Sequence, residues 1–373
     1  MMNGGPSVRL LICAGGTGGG VYPALAVHEA LKTQRSNLNV LWVGGDGGME
    51  ASLVQRAGIS FKAIPAAGLH GVGLRALPRN FALLARGFAA SRKILREFRP
   101  DVLFFTGGYL AAPMAFAGAR IPSLAFVPDV EPALALKTIA PFMDRIALSG
   151  PDSRNFFSAR KRLVETGYPV RAHLFSGSPS EARLKLGLRN DKPVLLAWGG
   201  SRGARSINQA LMQHLPRLLQ VAQIVHISGE LDWPQVQAAR ESLSAIQQKD
   251  YHAYAYLHEE MGAALVGADL VVSRAGASVL GEYPLLGLPS ILVPYPHAWR
   301  YQKVNADALA KRGAAVVLED GHLMEELPDL IESLLGDSLK LKSLSDAARA
   351  LAQPDSARRI ASQLLELAGE EPL

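Results

Sequence analysis

In the stretch Ser273–Ala306, SRAGASVLGEYPLLGLPSILVPYPHAWRYQKVNA, one carboxylate stands out by its place. Glu282 falls early in a helical pattern, just past the small residues Ala275, Gly276, Ala277 and Ser278. Small residues let a ligand approach the backbone, and a carboxylate beside them can accept hydrogen bonds from both hydroxyls of a ribose. The same position also suits an acid that only complements a helix dipole. His297, Arg300 and Gln302 cluster after the next apolar run. They read either as catalytic groups or as a polar loop that orients a ligand.

Three glycine loops offer backbone N–H groups instead of side chains. They are Gly15–Gly20, in which five of six residues are glycine, then Gly107-Gly108-Tyr109, and Gly199-Gly200-Ser201-Arg202-Gly203. Each follows an apolar run, and the first and third run into helical patterns, where N–H groups and the positive end of the helix dipole attract phosphate. Two common nucleotide motifs fail here. The dinucleotide fingerprint needs glycine at i, i+2 and i+5, but from Gly16 the third position is Val21 and from Gly18 it is Pro23. A Walker loop needs Gly-Lys, a pair the chain lacks. Pro23 suits the first turn of a helix.

Positioning these loops takes strands. Apolar runs at Val8–Ala14, Asn39–Val43, Asp101–Thr106, Ser123–Val127 and Arg145–Leu148 form one series. Val194–Trp198, Gln223–Ile227, His252–Leu257, Asp269–Ser273, Ser290–Val293 and Ala315–Leu318 form a second. Helical patterns between them imply doubly wound parallel sheets, buried on both faces. The series echo each other: LLICAGGTGGG pairs with VLLAWGGSRGAR, and IPSLAFVPD with LPSILVPYP. Two similar α/β domains in tandem are expected, with the break near TGYPVRAHLFSGSPSEA. The chain of 373 residues suffices for both.

Composition narrows the partners. Cys13 is the only cysteine, which excludes an intrachain disulfide or a cysteine zinc site. No apolar run reaches membrane-spanning length, and the N-terminus lacks a signal-peptide pattern, so a cytosolic protein is expected. A net charge of +6 favours anionic partners. Leu74–Pro100 holds seven basic residues and one acid, Glu97, with Leu77, Phe81, Leu84 and Phe88 at helical spacing. Such a segment either lies on an anionic membrane or packs its apolar stripe on a sheet. Nucleic acid is not expected, because basic strands interleaved with aromatics and a recognition helix are both missing.

The motifs AGGTGGGVYPALAVHEAL, GGYLAAP, TGYPVR, GGSRGARSIN and SRAGASVLGEYPLLGLPSILVPYPHAWRYQKVNA, in this order, resemble those of the MurG family. Its members are GT-B transferases that move N-acetylglucosamine from UDP-N-acetylglucosamine to the muramoyl-pentapeptide lipid of peptidoglycan synthesis. The resemblance runs from Leu10 to about Ala350 and implies two Rossmann-like domains with parallel sheets facing a cleft. An acceptor and membrane-facing domain would span residues 1–168 and a UDP-sugar domain 169–353, with a last helix at about 354–373 packing back on the first. It further implies a metal-independent, inverting hexosyltransferase without cofactor, peripheral on the cytoplasmic face of the cell membrane. Its partners would be a UDP-sugar donor, a lipid-linked acceptor and an anionic membrane surface.

By the same resemblance, Leu257 lies beside the uracil, Ala277, Ser278, Val279 and Leu280 form the nucleotide loop with helix N–H groups on the pyrophosphate, and Glu282 takes the ribose. Ser201 and Arg171 match donor contacts near the phosphates, and Thr17, Gly18 and Gly19 face donor sugar and acceptor. Gln302 matches one of two adjacent glutamines at the sugar; the other is Tyr301. The departures lie on the acceptor side. The family's loop histidine is Gly20, its His-Glu-Gln-Asn is Phe126-Val127-Pro128-Asp129, its Gly-Asn-Pro-Val-Arg asparagine is Tyr168, and a loop arginine is His70. The base expected from these positions is Asp129, which also touches substrate, with His70 second. A UDP-sugar-binding relative with another acceptor or a regulatory role stays open, and an epimerase ranks last.

Overall fold

The computed structural model describes residues 7–370 except 17, 36, 49, 67–76, 159, 201–202 and 298–299. The chain separates into two compact units, Met1–Arg171 with Pro354–Leu373, and Ala172–Gln353. The first is built on a seven-stranded sheet. Its strands are β1 (Val8–Cys13), β2 (Leu38–Gly45), β3 (Ser60–Ile64), β4 (Val102–Phe105), β5 (Ser123–Val127), β6 (Arg145–Leu148) and β7 (Leu163–Glu165). Their order is β3-β2-β1-β4-β5-β6-β7, all pairs parallel. Helices α1 (Gly18–Gln34), α2 (Glu50–Arg56), α3 (Leu77–Phe98), α4 (Ala111–Ala117) and α5 (Leu134–Ile139) connect them.

The second unit has six parallel strands: β8 (Val194–Trp198), β9 (Gln223–Ile227), β10 (Tyr251–Tyr254), β11 (Leu270–Ser273), β12 (Ser290–Leu292) and β13 (Val316–Val317), in the order β10-β9-β8-β11-β12-β13. Its helices are α6 (Pro179–Lys185), α7 (Arg205–Val221), α8 (Trp233–Glu241), α9 (Ala245–Gln248), α10 (Met261–Gly267), α11 (Glu282–Leu286), α12 (Tyr301–Ala310), α13 (Leu323–Gly336) and α14 (Ser338–Ala350). The last helix, α15 (Ser356–Leu367), belongs to the first unit. There Arg145 of β6 donates to Gln363 Oε1 at 2.8 Å and Glu366 Oε2 at 2.5 Å, so α15 is tied to the sheet by a buried cation as well as by apolar packing.

Inner strands such as β4 and β5 are buried along their whole length, which is why they read as unbroken apolar runs. Two strands escape the sequence reading. β3 and β7 lie at the sheet edges, and their exposed or half-exposed residues, Ser60, Lys62 and Glu165 among them, break any apolar run. The run His252–Leu257 is shorter in the sheet, which holds Tyr251–Tyr254, and Ala315–Leu318 shrinks to Val316–Val317.

One expectation is corrected and one open choice is narrowed. Helix α1 begins at Gly18, so Pro23 lies in its second turn rather than its first. In α3 the stripe Phe81, Leu84, Phe88 is not the buried face: Phe81 is 57% exposed and Phe88 37%. Gly87, Ser91, Ile94 and Leu95 face inward instead. Gly87 explains the choice, because a Cβ there would lie 2.3 Å from the Pro65 carbonyl oxygen. The helix approaches closest along its smallest residue, and the phenylalanines are left outside.

Candidate functional site

In an open parallel sheet the ligand crevice lies at the carboxyl ends of the two strands where the strand order reverses. That point is β1/β4 in the first unit and β8/β11 in the second. All three sequence-predicted glycine loops leave these strands.

In the first unit the loop after β1 runs straight into α1, whose first three residues are Gly18, Gly19 and Gly20. A helix start presents N–H groups without intrahelical partners. At Gly18 a Cβ would meet the Tyr22 ring at 3.0 Å, so glycine lets that ring fold back over the helix start. Pro23 has no N–H to give the Gly19 carbonyl. The Tyr168 hydroxyl approaches that carbonyl instead, at 3.5 Å, and Thr106 Oγ1 donates to the Gly20 carbonyl at 2.8 Å. The loop after β4 packs on the first one: a Cβ at Gly108 would stand 2.8 Å from the Gly15 carbonyl oxygen, and φ is +88° there.

One strand over, the loop after β5 carries Asp129 and Glu131. Glu131 is buried and ion-paired with Lys137 at 2.8 Å. Asp129 is half-buried, at the carboxyl edge of the sheet. Phe126 is fully buried and meets the Tyr168 ring edge-on at 5.9 Å, so two positions at which the resemblance implies polar groups hold buried aromatic rings. The Arg171 guanidinium sits 4.9 Å over the Tyr22 ring, beside the start of α1. Thr17 and His70 lie outside the described residues.

In the second unit Gly199, Gly200 and Gly203 follow β8, while Ser201 and Arg202 lie outside the described residues. A chain of hydrogen bonds joins the strand ends: Trp198 Nε1 donates to the Tyr283 hydroxyl at 3.0 Å, which donates to Ser273 Oγ at 2.7 Å. After β11 the chain forms a 3-10 turn, Ala277–Leu280, and then the short α11, which Glu282 opens. Glu282 thus stands early in a helix as expected, with the 3-10 turn and α11 meeting at Gly281. Ala277 and Val279 are buried, and the Val279 N–H donates to the Gly276 carbonyl at 3.1 Å, so the N–H groups this turn presents to a ligand are those at its start, Ala277 and Ser278. Asn305, buried in α12, donates to the Ala275 carbonyl at 3.2 Å and holds this loop.

Three other sequence-predicted residues sit less simply. Gln302 Oε1 accepts the Tyr295 N–H at 2.8 Å, so its amide nitrogen is the group left for a sugar. Tyr301 is half-buried at the start of α12, after β12 and next to the switch point. Leu257 is buried after β10, three strands from β11, or roughly 14 Å at ordinary strand spacing. Arg274 is turned into a buried cluster, ion-paired with Asp320 and donating to Ser206 Oγ at 2.7 Å.

Beneath the β8 loop lies a buried histidine. Asn208 donates through Nδ2 to Ser228 O at 2.9 Å and Asp232 Oδ2 at 2.8 Å, so its Oδ1 is the acceptor for His226 Nε2 at 2.9 Å. Nε2 thus carries the proton, and Nδ1 accepts from the Tyr251 hydroxyl at 2.7 Å. Burial lowers the His226 pKa to about 3, and burial with the Lys32 charge lowers that of His28 in α1 to about 4. Below pH 6.5 the unfolded chain binds protons that the folded chain does not, so stability falls with falling pH. Above pH 6.5 the effect is absent. His226 alone is expected to cost about 3 kcal/mol by pH 4.5. Urea midpoints between pH 7.5 and 4.5 check this, and His226→Gln should flatten the slope.

Two doubly wound units with glycine loops at both switch points, and an acid opening the helix beyond β11, define the GT-B class of glycosyltransferases. The family description Glycosyltransferase family 28 N-terminal domain matches residues 10–147, and Glycosyltransferase family 28 C-terminal domain matches residues 194–363. A UDP-N-acetylglucosamine–N-acetylmuramyl-(pentapeptide) pyrophosphoryl-undecaprenol N-acetylglucosamine transferase of Roseiflexus sp. (strain RS-1) is 38% identical, over 96% of this chain and 95% of its own. The protein of the same name from Desulfitobacterium hafniense (strain Y51) is 38% identical over 97% and 100%. The crystal structure of Acinetobacter baumannii MurG matches with a TM-score of 0.74 at 27% identity, covering 97% of this chain and 100% of that one. The chain belongs to the MurG family of glycosyltransferases.

Proposed function

We propose that this enzyme transfers N-acetylglucosamine from UDP-N-acetylglucosamine to the muramoyl-pentapeptide pyrophosphoryl-undecaprenol lipid. The observation that carries the reading is full-length membership of the family, with its motifs falling on both switch points. The second unit would hold the donor: Glu282 on the ribose, Leu257 beside the uracil, the turn Ala277–Leu280 on the pyrophosphate through the N–H groups at its start, and Gln302 Nε2 with Tyr301 at the sugar. Ser201 and Arg171 would add phosphate contacts. Thr17, Gly18 and Gly19, in the first unit, would face donor sugar and acceptor. The acceptor hydroxyl oxygen attacks the anomeric carbon, the bond to UDP breaks, and the hydroxyl proton passes to Asp129. Positioned N–H groups stabilise the charge on departing UDP.

The exposed Phe81 and Phe88 stand on a helix whose Arg79, Arg86, Arg92, Lys93 and Arg96 are also exposed. Phe116 and Phe142, stacked edge-on at 5.1 Å, are exposed in the same unit. Among the described residues no helix is long and apolar enough to cross a membrane. Peripheral binding to the anionic cytoplasmic leaflet fits this mixture of apolar and basic groups.

The test supplies UDP-N-acetylglucosamine and the lipid acceptor in anionic or neutral vesicles and reads product by mass spectrometry. Transfer is expected, faster on anionic vesicles and slowed by salt. UDP-sugar binding without product on either surface would replace this reading with a second one. The buried Phe126–Tyr168 pair favours that alternative, a UDP-sugar-binding relative with another acceptor or a regulatory role.

A further inference from the structure

A buried carboxylate outside every motif considered so far touches the first glycine loop. Glu50 opens α2 and is 1% exposed. Its Oε1 accepts the Gly45 N–H at 2.8 Å, at the end of β2, and its Oε2 accepts the Gly16 N–H at 3.3 Å. One side chain thus bridges the ends of β2 and β1. The glycines around it are cut to its shape. A Cβ at Gly15 or at Gly48 would stand 2.3 Å from Oε1, and a Cβ at Gly44 would stand 2.9 Å from Cγ. On its other side the Gly15 carbonyl oxygen lies against Gly108. The Gly15–Gly16 backbone is therefore held between Glu50 and the loop after β4.

The loop has almost no side chains, so the directions of its N–H groups are its whole chemistry. A neutral loop could not fix those directions by its own packing, whereas a buried carboxylate bonded to two amides can, since such charge-assisted bonds are the strong ones. We propose that Glu50 is a positioning residue for transfer: its carboxylate clamps Gly16 to the end of β2 and so keeps the N–H groups opening α1 aimed at the acceptor. The inference rests on the transferase reading above and adds a residue to it.

Two variants test it from opposite sides. Glu50→Gln keeps the shape and one acceptor oxygen but gives up the other bond. Gly48→Ala leaves Glu50 in place and pushes its carboxylate aside, because the new methyl meets only that flexible end. Both are expected to lower kcat/KM for the lipid acceptor about 10- to 100-fold, with the affinity for UDP itself unchanged. A residue that only supports the fold would lower the melting temperature and the active fraction and leave both KM values alone; that outcome would overturn the proposal. Amide hydrogen exchange over the segment containing Gly15, Gly16 and the start of α1 gives a reading independent of turnover. Faster exchange there in both variants, and not in the second unit, is expected; unchanged exchange removes the clamp. If the unaltered enzyme makes no product, the transferase reading fails, and exchange still decides whether Glu50 holds the loop.

Discussion

Asp129→Asn is expected to lower the turnover of sugar transfer by about 100- to 10,000-fold, the usual weight of a positioned general base. UDP affinity should not change, because Asp129 is assigned to the acceptor hydroxyl and not to the nucleotide. The expectation comes from elimination on the acceptor-side edge. Gly20 carries no imidazole, Phe126 is buried in the core, and Tyr168 packs edge-on against it. Of the two acids after β5, Glu131 is buried against Lys137. Asp129 combines a carboxylate with partial exposure at the carboxyl edge. The isosteric amide keeps its volume, so a loss of activity with an unchanged melting temperature isolates the proton transfer. Activity within twofold of the unaltered enzyme would remove Asp129 as base, and His70→Ala in the same assay would then decide for the second candidate.

How far the sequence reached depended on where a residue's partners lie. Strands β4 and β5 are apolar throughout because both faces are covered, and continuous apolar runs are visible in one dimension. Edge strands β3 and β7 have one side in water and leave no such run. Glu282 was singled out by its neighbours in sequence, the small residues before it, and the structure places it at the opening of α11, just past the turn they form. Glu50 and Asn305 were not singled out, since their partners at Gly16 and Ala275 are distant in sequence and a buried polar contact leaves no period. A signal for Glu50 does exist: it follows GGDGGM, another glycine-rich turn after an apolar run. The stripe on α3 was read at the right spacing, with a membrane and a sheet left as alternatives for what covers it. Periodicity finds apolar faces, and only the close approach at Gly87 shows which face meets the sheet.

The β8 loop offers a comparison in which backbone strain is held constant and crowding is not. Gly200 and Gly203 both have left-handed backbones, with φ of +83° and +75°. A Cβ at Gly200 meets nothing within 4 Å, whereas one at Gly203 would stand 2.2 Å from the Ser228 carbonyl oxygen. That carbonyl cannot retreat cheaply, because it accepts from Asn208, which is bonded in turn to Asp232 and to buried His226. Gly200→Ala is thus expected to cost about 1–2 kcal/mol, the left-handed penalty alone. Gly203→Ala adds an overpacking cost of about 1–3 kcal/mol, or moves the loop off the end of β9. Urea unfolding measures the first outcome and calorimetric titration with UDP the second. In one or the other, Gly203→Ala should exceed Gly200→Ala by at least about fivefold in the equilibrium constant. Equal effects of the two substitutions would mean that the loop yields to Ser228 without cost. The buried His226–Asn208 network would then be supporting β9 and α7 but not the loop after β8 that we propose for the donor phosphates.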